Sequence, residues 1–268
     1  MTTHHDFLLL SRDGFVATVT LNRPAMHNAW HPQMGLDLEA IVRQLGEDDS
    51  VRVIVITGAG TSFCSGLDMQ YIKDVQEKRV LPVPERPHSE DDLNQRYSYL
   101  MAIPKPVICA VNGTAVGIGL VLALFCDFRY AATSAKFSTM FSRRGLIPEH
   151  GITWLLPRMM GLPRAMEMMM FGQWVHAEQA ERVGLVNAVF PDEVFQQEVA
   201  RRAQELATQV SPRSVRIIKQ LTYEACGSSL GEAVRSFYKE LPGALASEDF
   251  REGVQHFVEK RPARFTGR

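Results

Sequence analysis

Neither sign of charge is in excess in this 268-residue chain: 29 Lys and Arg face 30 Asp and Glu, for a net charge of −1. Without a basic surplus there is no electrostatic case for a nucleic acid or an anionic membrane as partner. Cysteine is scarce. Cys64, Cys109, Cys126 and Cys226 form no CxxC pair and three lie in apolar stretches, so they read as free thiols of a reducing compartment rather than disulfides. No Cys/His group has metal-ligand spacing, and no metal is expected. The start, MTTHHDFLLLSRDGF, lacks the basic stretch, apolar core and small-residue cleavage site of a secretory signal. The expected location is therefore the cytoplasm. His4 and His5 read as a disordered tip.

An uninterrupted membrane span is also missing, although one stretch imitates it. The apolar run from Pro106 to Phe128 is broken by Asn112-Gly113, by Gly117 and Gly119, and it closes on Asp127. Asn-Gly is a strong turn signal. The run splits into a strand, Val107–Val111, and a helix from about Gly117 to Phe125. Each piece is too short to cross roughly 30 Å of hydrocarbon.

What the chain does have is a large apolar share, 46%, enough for a sizeable core. Phe7–Leu10 and Phe15–Leu21 flank Asp13-Gly14 and predict a hairpin. His31-Pro32 opens an amphipathic helix to about Leu45, and Val51–Thr57 is a buried strand. Residues 76–92 are rich in proline and charge and read as a mobile loop, followed by a helix to about Ile103. Phe128–Ala132 and Lys136–Ser138 read as short strands. From Gly151 onward helical periods dominate, with a single strand over Leu185–Phe190. The pattern predicts an α/β core (residues 1–200) with a helical C-terminal region (201–268).

Two glycine-marked stretches stand out. Gly117 and Gly119 open a buried helix, and Gly66 stands where another begins, with Asp68 placed to bond its first turn. Each follows a buried strand. Such glycines either permit close helix packing or aim two backbone N–H groups at one carbonyl oxygen, where they would hold developing negative charge. A dinucleotide fingerprint fits poorly, because GxGxxG is incomplete.

Taken in order, LNRPAMHNA (21–29), SFCSGLDM (62–69), KPVICAVNGTAVGIGLVLALFCDFRYA (105–131) with AKFS (135–138), GLIPEHGITWLLPRMMG (145–161) and the tail REGVQHFVEKRPARF (251–265) resemble the crotonase superfamily, the enoyl-CoA hydratase/isomerase family. The resemblance covers about residues 7–265. It implies a crotonase-like spiral of β-β-α turns with a C-terminal helical trimerisation region, and assembly as a homotrimer or dimer of trimers. It implies an acyl-CoA thioester as substrate, with stabilisation of its enolate and no cofactor beyond the coenzyme A of the substrate itself. By position, the oxyanion-hole N–H donors are those of Leu67 and Ile118, set by Gly66 and Gly117. The adenine slot is lined by backbone near Met26–Ala29 and Ser65–Leu67, and the resemblance places Met26, His27, Ala29, Ser65, Gly66, Asp68 and Gly117 among the substrate-binding residues. Lys260 reaches the phosphates, from its own or a neighbouring subunit.

The same comparison exposes a departure. Hydratases of the family carry two glutamates at positions held here by Val121 and Phe141. The remaining candidate acid or base is Glu149, after GLIP; a helix-start glutamate is the bland alternative. Family members that move a double bond between the 3 and 2 positions often place a single Glu or Asp there, and one carboxylate suffices for that reaction. Ile147, Ile152 and Trp154 are expected to desolvate Glu149 partly and so to raise its pKa. His150 orients Glu149, titrates itself, or faces solvent. Arg143 and Arg144 read as a solvated face. The expected function is Δ3,Δ2-enoyl-CoA isomerisation by Glu149. The alternatives are a hydratase, a hydrolase or decarboxylase variant, or a non-catalytic acyl-CoA binder.

Overall fold

A computed structural model describes residues 3–5, 7–83, 89 and 91–268. The chain begins as a meander of β1 (Thr3–His5), β2 (Leu8–Asp13) and β3 (Val16–Leu21), turning at Asp13-Gly14. His4 and His5 thus sit in a strand paired with β2, not in a disordered tip. After α1 (Pro32–Glu47) the path becomes repetitive. β4 (Val53–Gly58), β5 (Ser62–Cys64) and α2 (Met69–Gln76) make one turn. The short α3 (Tyr99–Ala102) precedes a second, made of β6 (Val107–Val111), β7 (Thr114–Val116) and α4 (Ile118–Leu124). A third comprises β8 (Phe128–Ala132), β9 (Lys136–Ser138) and α5 (Ile152–Met160). Each turn sends its first strand to one sheet and its second to another, which is the β-β-α spiral expected. The larger sheet has the order β1-β2-β3-β4-β6-β8 and ends on β11 (Ala188–Phe190); β3 through β11 run parallel. The smaller has the order β10-β9-β7-β5, with β10 at Val175–His176.

The helix expected from the proline-rich loop to Ile103 is shorter than read. Among the described residues a single 3-10 turn, Asp92–Asn94, and α3 form there. Part of that loop, residues 84–88 and residue 90, lies outside the described residues.

Parallel strands covered on both faces are apolar throughout, and β4 and β6 are buried at every position. Ile54, Ile56, Val107 and Cys109 face the main core, with α1 and α4. The alternate residues Val53, Val55, Ile108 and Ala110 face α8 (Phe195–Thr208), which lays Phe195, Val199, Ala203 and Ala207 on them at a spacing of one helical turn. Residue 200 therefore falls inside a helix packed on the sheet. Between β9 and α8 lie also α6 (Leu162–Phe171) and α7 (Ala177–Arg182). α9 (Pro212–Ala225), α10 (Leu230–Ala246) and α11 (Glu248–Glu259) complete the helical C-terminal region. Among the described residues no helix is long and apolar enough to cross a membrane.

The aspartate that closes the apolar run joins this region to the core. Asp127 Oδ2 accepts from the Val107 N–H at 2.7 Å and from Lys219 Nζ at 2.7 Å. Its Oδ1 accepts from the Tyr223 hydroxyl at 2.8 Å. Lys219 also donates to the carbonyls of Leu100 and Lys105. α9 is thus tied to the start of β6 by a buried ion pair in which all three ammonium protons are used. Removing one partner of such a pair strands the other charge, which typically costs about 3–5 kcal/mol. Lys219→Met is therefore expected to lower unfolding stability by about that amount, measured by denaturant titration. A loss below about 1 kcal/mol would show that α9 is held by other contacts.

Candidate active site

β5 and β7 are parallel neighbours, with Ser62 opposite Thr114 and Cys64 opposite Ala115. Two adjacent parallel strands end at the same edge, so the segments that leave them emerge side by side. From β5 come Ser65, Gly66 and Leu67; from β7 come Gly117 and Ile118. Gly66 has φ +94°, a left-handed value that favours glycine, and a Cβ there would lie 3.2 Å from the Val116 carbonyl. Gly119 needs close approach instead: its Cβ would stand 2.4 Å from the Cys64 carbonyl oxygen. The two readings of the glycines therefore apply to different residues. Gly119 lets α4 lie against β5, whereas Gly66 turns the chain.

Backbone bonding orients Leu67. The Trp30 N–H donates to the Gly66 carbonyl at 2.7 Å, and the Asp68 N–H donates to the Trp30 carbonyl at 3.1 Å. Leu67 lies between those two bonds, bridged in parallel to Trp30, so its own N–H faces the other way. Ile118 is the first residue of α4, a position whose N–H has no partner within a helix. Among the described residues no backbone carbonyl outside regular elements accepts from either N–H.

The segment carrying Met26, His27 and Ala29 runs beside Ser65. Met26 and His27 are exposed and Ala29 is buried. The Ser65 N–H donates to the His27 carbonyl at 3.1 Å. Two residues that the sequence reading passed over hold this segment. Asn28 is fully buried at φ +54° and donates to the carbonyls of Ala59 and Ser62, while its Oδ1 accepts from the Arg23 N–H. Arg23 reaches the Ala29 carbonyl at 2.6 Å and Asp68 Oδ2 at 2.8 Å. The only local hint was asparagine's tolerance of left-handed backbone. Asp68 Oδ1 caps α2, accepting from the N–H groups of Gln70 and Tyr71 at 3.1 Å. Both its oxygens are thus engaged by protein donors.

Glu149 lies just before α5, with its Oε2 3.6 Å from His150 Nε2. His150 has φ +53° and meets the Tyr97 ring edge-on at 4.8 Å. Tyr97 in turn packs on Trp30 at 5.9 Å, which links this corner to the Leu67 segment. Tyr97, His150, Phe125, Trp154 and Tyr223 line a cavity of about 600 Å³. Of the apolar residues expected around Glu149, Ile152 is fully buried, but Trp154 is 38% and Ile147 79% exposed. The apolar shell is therefore thinner than the sequence suggests, because Ile147 turns outward. Val121 and Phe141 are both core residues, at 0% and 5% exposure. Lys260 ends α11, exposed and at φ +53°. No hydrogen bond or ion pair joins its side chain to Met26, His27, Ala29 or Ser65 among the described residues. Arg143 and Arg144 are exposed. Cys64, Cys109 and Cys126 are buried free thiols, and Cys226 is an exposed one.

Residues 11–268 match the family model for enoyl-CoA hydratase/isomerase. The chain belongs to that family. It is 38% identical over 269 residues to a 1,2-epoxyphenylacetyl-CoA isomerase of Escherichia coli K12, covering 98% of this chain and 99% of the relative. It is 41% identical to a probable enoyl-CoA hydratase of Rhodobacter capsulatus, covering 94% and 95%. The crystal structure of an enoyl-CoA hydratase from Mycobacterium tuberculosis H37Rv superposes with a TM-score of 0.87 at 28% identity, over 98% of this chain and all of that one. The fold is the crotonase spiral, and the chain is an acyl-CoA enzyme of the hydratase/isomerase kind.

The support of the Leu67 segment is electrostatic and titratable. Burial pulls the Asp68 pKa up, but the Arg23 guanidinium and the two N–H groups of α2 outweigh it, and the net shift is downward from 3.8. A carboxylate with a lowered folded pKa stabilises above its ordinary pKa and loses that stabilisation as pH falls through the lowered value. Asp68→Asn is therefore expected to cost about 1–3 kcal/mol at neutral pH. The gap to the parent should narrow below about pH 4. Denaturant titrations at several pH values measure it, and a gap independent of pH would remove the Arg23–Asp68 charge pair from the account.

Proposed function

We propose that this enzyme moves a carbon–carbon double bond between the 3 and 2 positions of an enoyl-CoA thioester. Glu149 takes a proton from C2, the N–H groups of Leu67 and Ile118 hold the thioester oxygen while negative charge develops on it, and the resulting acid returns the proton at C4. The observation that carries this reading is the pairing of one carboxylate, Glu149, with a cavity-lining histidine, while Val121 and Phe141 are buried apolar residues. A double-bond shift takes up and gives back the same proton, so one carboxylate is enough. Hydration must also place a water. A second reading, hydration by Glu149 with His150, is favoured by their 3.6 Å approach and by the hydratase names among the relatives.

Backbone donors suit the oxyanion role because they are fixed before the reaction and need no reorganisation when charge appears. Coenzyme A would lie along Met26–Ala29 and Ser65–Leu67, with Gly66 and Gly117 leaving room for the thioester. Assembly as a homotrimer or dimer of trimers is part of the proposal. It is supported by the exposed apolar residues of α10 and α11, among them Phe237, Phe250, Val254 and Phe257.

Glu149→Gln keeps size and polarity but cannot accept the proton. It is expected to lower kcat by about 10² or more with acyl-CoA binding nearly intact. The assay follows 3-enoyl-CoA conversion to the conjugated 2-enoyl-CoA by ultraviolet absorption, with hydration of 2-enoyl-CoA measured in parallel. Isomerisation by Glu149→Gln at the parent rate would remove Glu149 as the base. A parent enzyme that hydrates and never isomerises would establish the second reading instead.

Lys260 is proposed to grip the phosphates of coenzyme A from a neighbouring copy. Lys260→Ala is then expected to raise KM for acyl-CoA more than it lowers kcat. An unchanged KM at low salt would exclude it.

A further inference from the structure

The cavity beside the Glu149 loop is walled by rings. Tyr97, Phe125, His150, Trp154 and Tyr223 line it, brought together from α4, α5, α9 and the segments before α3 and α5. Several polar groups of the same wall are already engaged by the protein. The Tyr223 hydroxyl donates to Asp127 Oδ1 at 2.8 Å, the Ser98 hydroxyl to the Asp92 carbonyl, and the Gln95 amide to the Asp91 carbonyl at 3.2 Å. Glu224 accepts from Gln220 at 2.8 Å. What the wall has left to offer a ligand is largely ring surface.

Those rings are held before any ligand arrives. Phe125 stacks on Tyr97 at 6.5 Å, and Asp127 pins Tyr223. The Arg158 guanidinium lies 3.9 Å over the Trp154 ring and donates to the Trp154 carbonyl at 3.0 Å. Side chains already ordered lose little freedom on binding. Trp154 is nevertheless 38% exposed, so it keeps ring surface for a ligand to cover. A volume of about 600 Å³ is within the range of sites for drug-sized ligands. Phe125 follows the last residue of α4, about 10 Å along the helix from Ile118. Aromatic rings favour other rings, edge to face or offset, beyond the area they bury. We propose that the cavity receives an aryl group carried by the acyl chain, so that the enzyme prefers aryl-bearing thioesters to alkyl thioesters of the same size, with Trp154 as the specificity residue. The proposal rests on the preceding reading in one respect: the thioester sits at Leu67 and Ile118, and the acyl chain extends from there into the cavity. Trp154 takes no proton from the reacting carbons.

Binding tests this without turnover. The probes are 3-phenylpropanoyl-CoA and 5-phenylpentanoyl-CoA, each paired with the ester in which cyclohexyl replaces phenyl. Their saturated chains give the enzyme no double bond to move. Cyclohexyl has the same carbon skeleton and more apolar surface, so burial alone favours the cyclohexyl member of each pair. The parent is expected to bind the phenyl member about two- to tenfold more tightly in at least one pair. Trp154→Leu keeps an apolar side chain and removes the ring, and is expected to bring that ratio to about one or below. Trp154→Phe restores a ring and is expected to keep most of the preference. A substitution that merely loosened the fold would weaken both members of a pair alike and leave the ratio unchanged.

Two results would overturn the proposal: cyclohexyl esters bound as tightly as phenyl esters, or more tightly, in both pairs by the parent, or a phenyl preference that persists undiminished in Trp154→Leu. The first would mean that the wall selects size alone, and the second that Trp154 is not the residue that recognises the ring. The comparison in the parent stands whether or not a variant folds. Parent protein that binds none of the esters would overturn the acyl-CoA placement itself. The Glu149→Gln assay fails or succeeds independently, since none of these probes reacts.

Discussion

The site depends on one close approach of backbone to backbone. α4 lies so near β5 that a methyl group at Gly119 would meet the Cys64 carbonyl at 2.4 Å. No side chain can be accommodated at that distance without moving the helix or the strand. The approach keeps the start of α4 beside the loop that leaves β5, and the parallel pairing of β5 with β7 fixes their order. Leu67 then takes its direction from Trp30, whose N–H and carbonyl bond the residues on either side of it. Side-chain identity at 67 and 118 matters little to this arrangement, because it is written in the backbone.

A second constraint acts from the other end of the chain. Asp127 binds the first N–H of β6, the ammonium of Lys219 and the hydroxyl of Tyr223 with two oxygens. The same tyrosine lines the cavity. The wall that α9 contributes is therefore positioned by an ion pair formed at the start of β6. Desolvation alone pulls the Lys219 pKa down, and the attraction of Asp127 opposes it. Such a pair contributes geometry more surely than stability, since a buried ion pair repays its desolvation only when every proton is bonded. Here the three ammonium protons are.

Strands bounded by turn residues were the easiest to read. Pro106 and Asn112 delimit Val107–Val111, and the observed strand has those bounds. The amphipathic α1 and the helices after Gly151 were legible because their apolar residues recur at helical spacing. The strands that matter most to the site were not. β5 and β7 have three residues each, too few to show an alternation. The role of Asp127 was hidden too, because its partner Lys219 lies 92 residues further along the chain. Arg23 and Asp68, 45 residues apart, were invisible as a pair for the same reason. The family resemblance pointed to Leu67, Ile118 and Glu149 by position, and position carries no information about burial. Hence Ile147, which looks apolar and protective in the sequence, turns out to be exposed.

The unusual backbone of this corner bears on how the Glu149 loop is held. His150 and Gly151 both have positive φ, at +53° and +79°, directly before α5. For histidine that conformation is uncommon, and it persists only where neighbours fix it. The Tyr97 ring does so from one side, edge-on at 4.8 Å. Tyr97 is itself wedged between Trp30 and Phe125, and Trp30 bridges Leu67. One aromatic chain of contacts therefore runs from the Leu67 segment to the loop that carries Glu149. Ring packing at Tyr97 bears on both the Leu67 segment and the Glu149 loop.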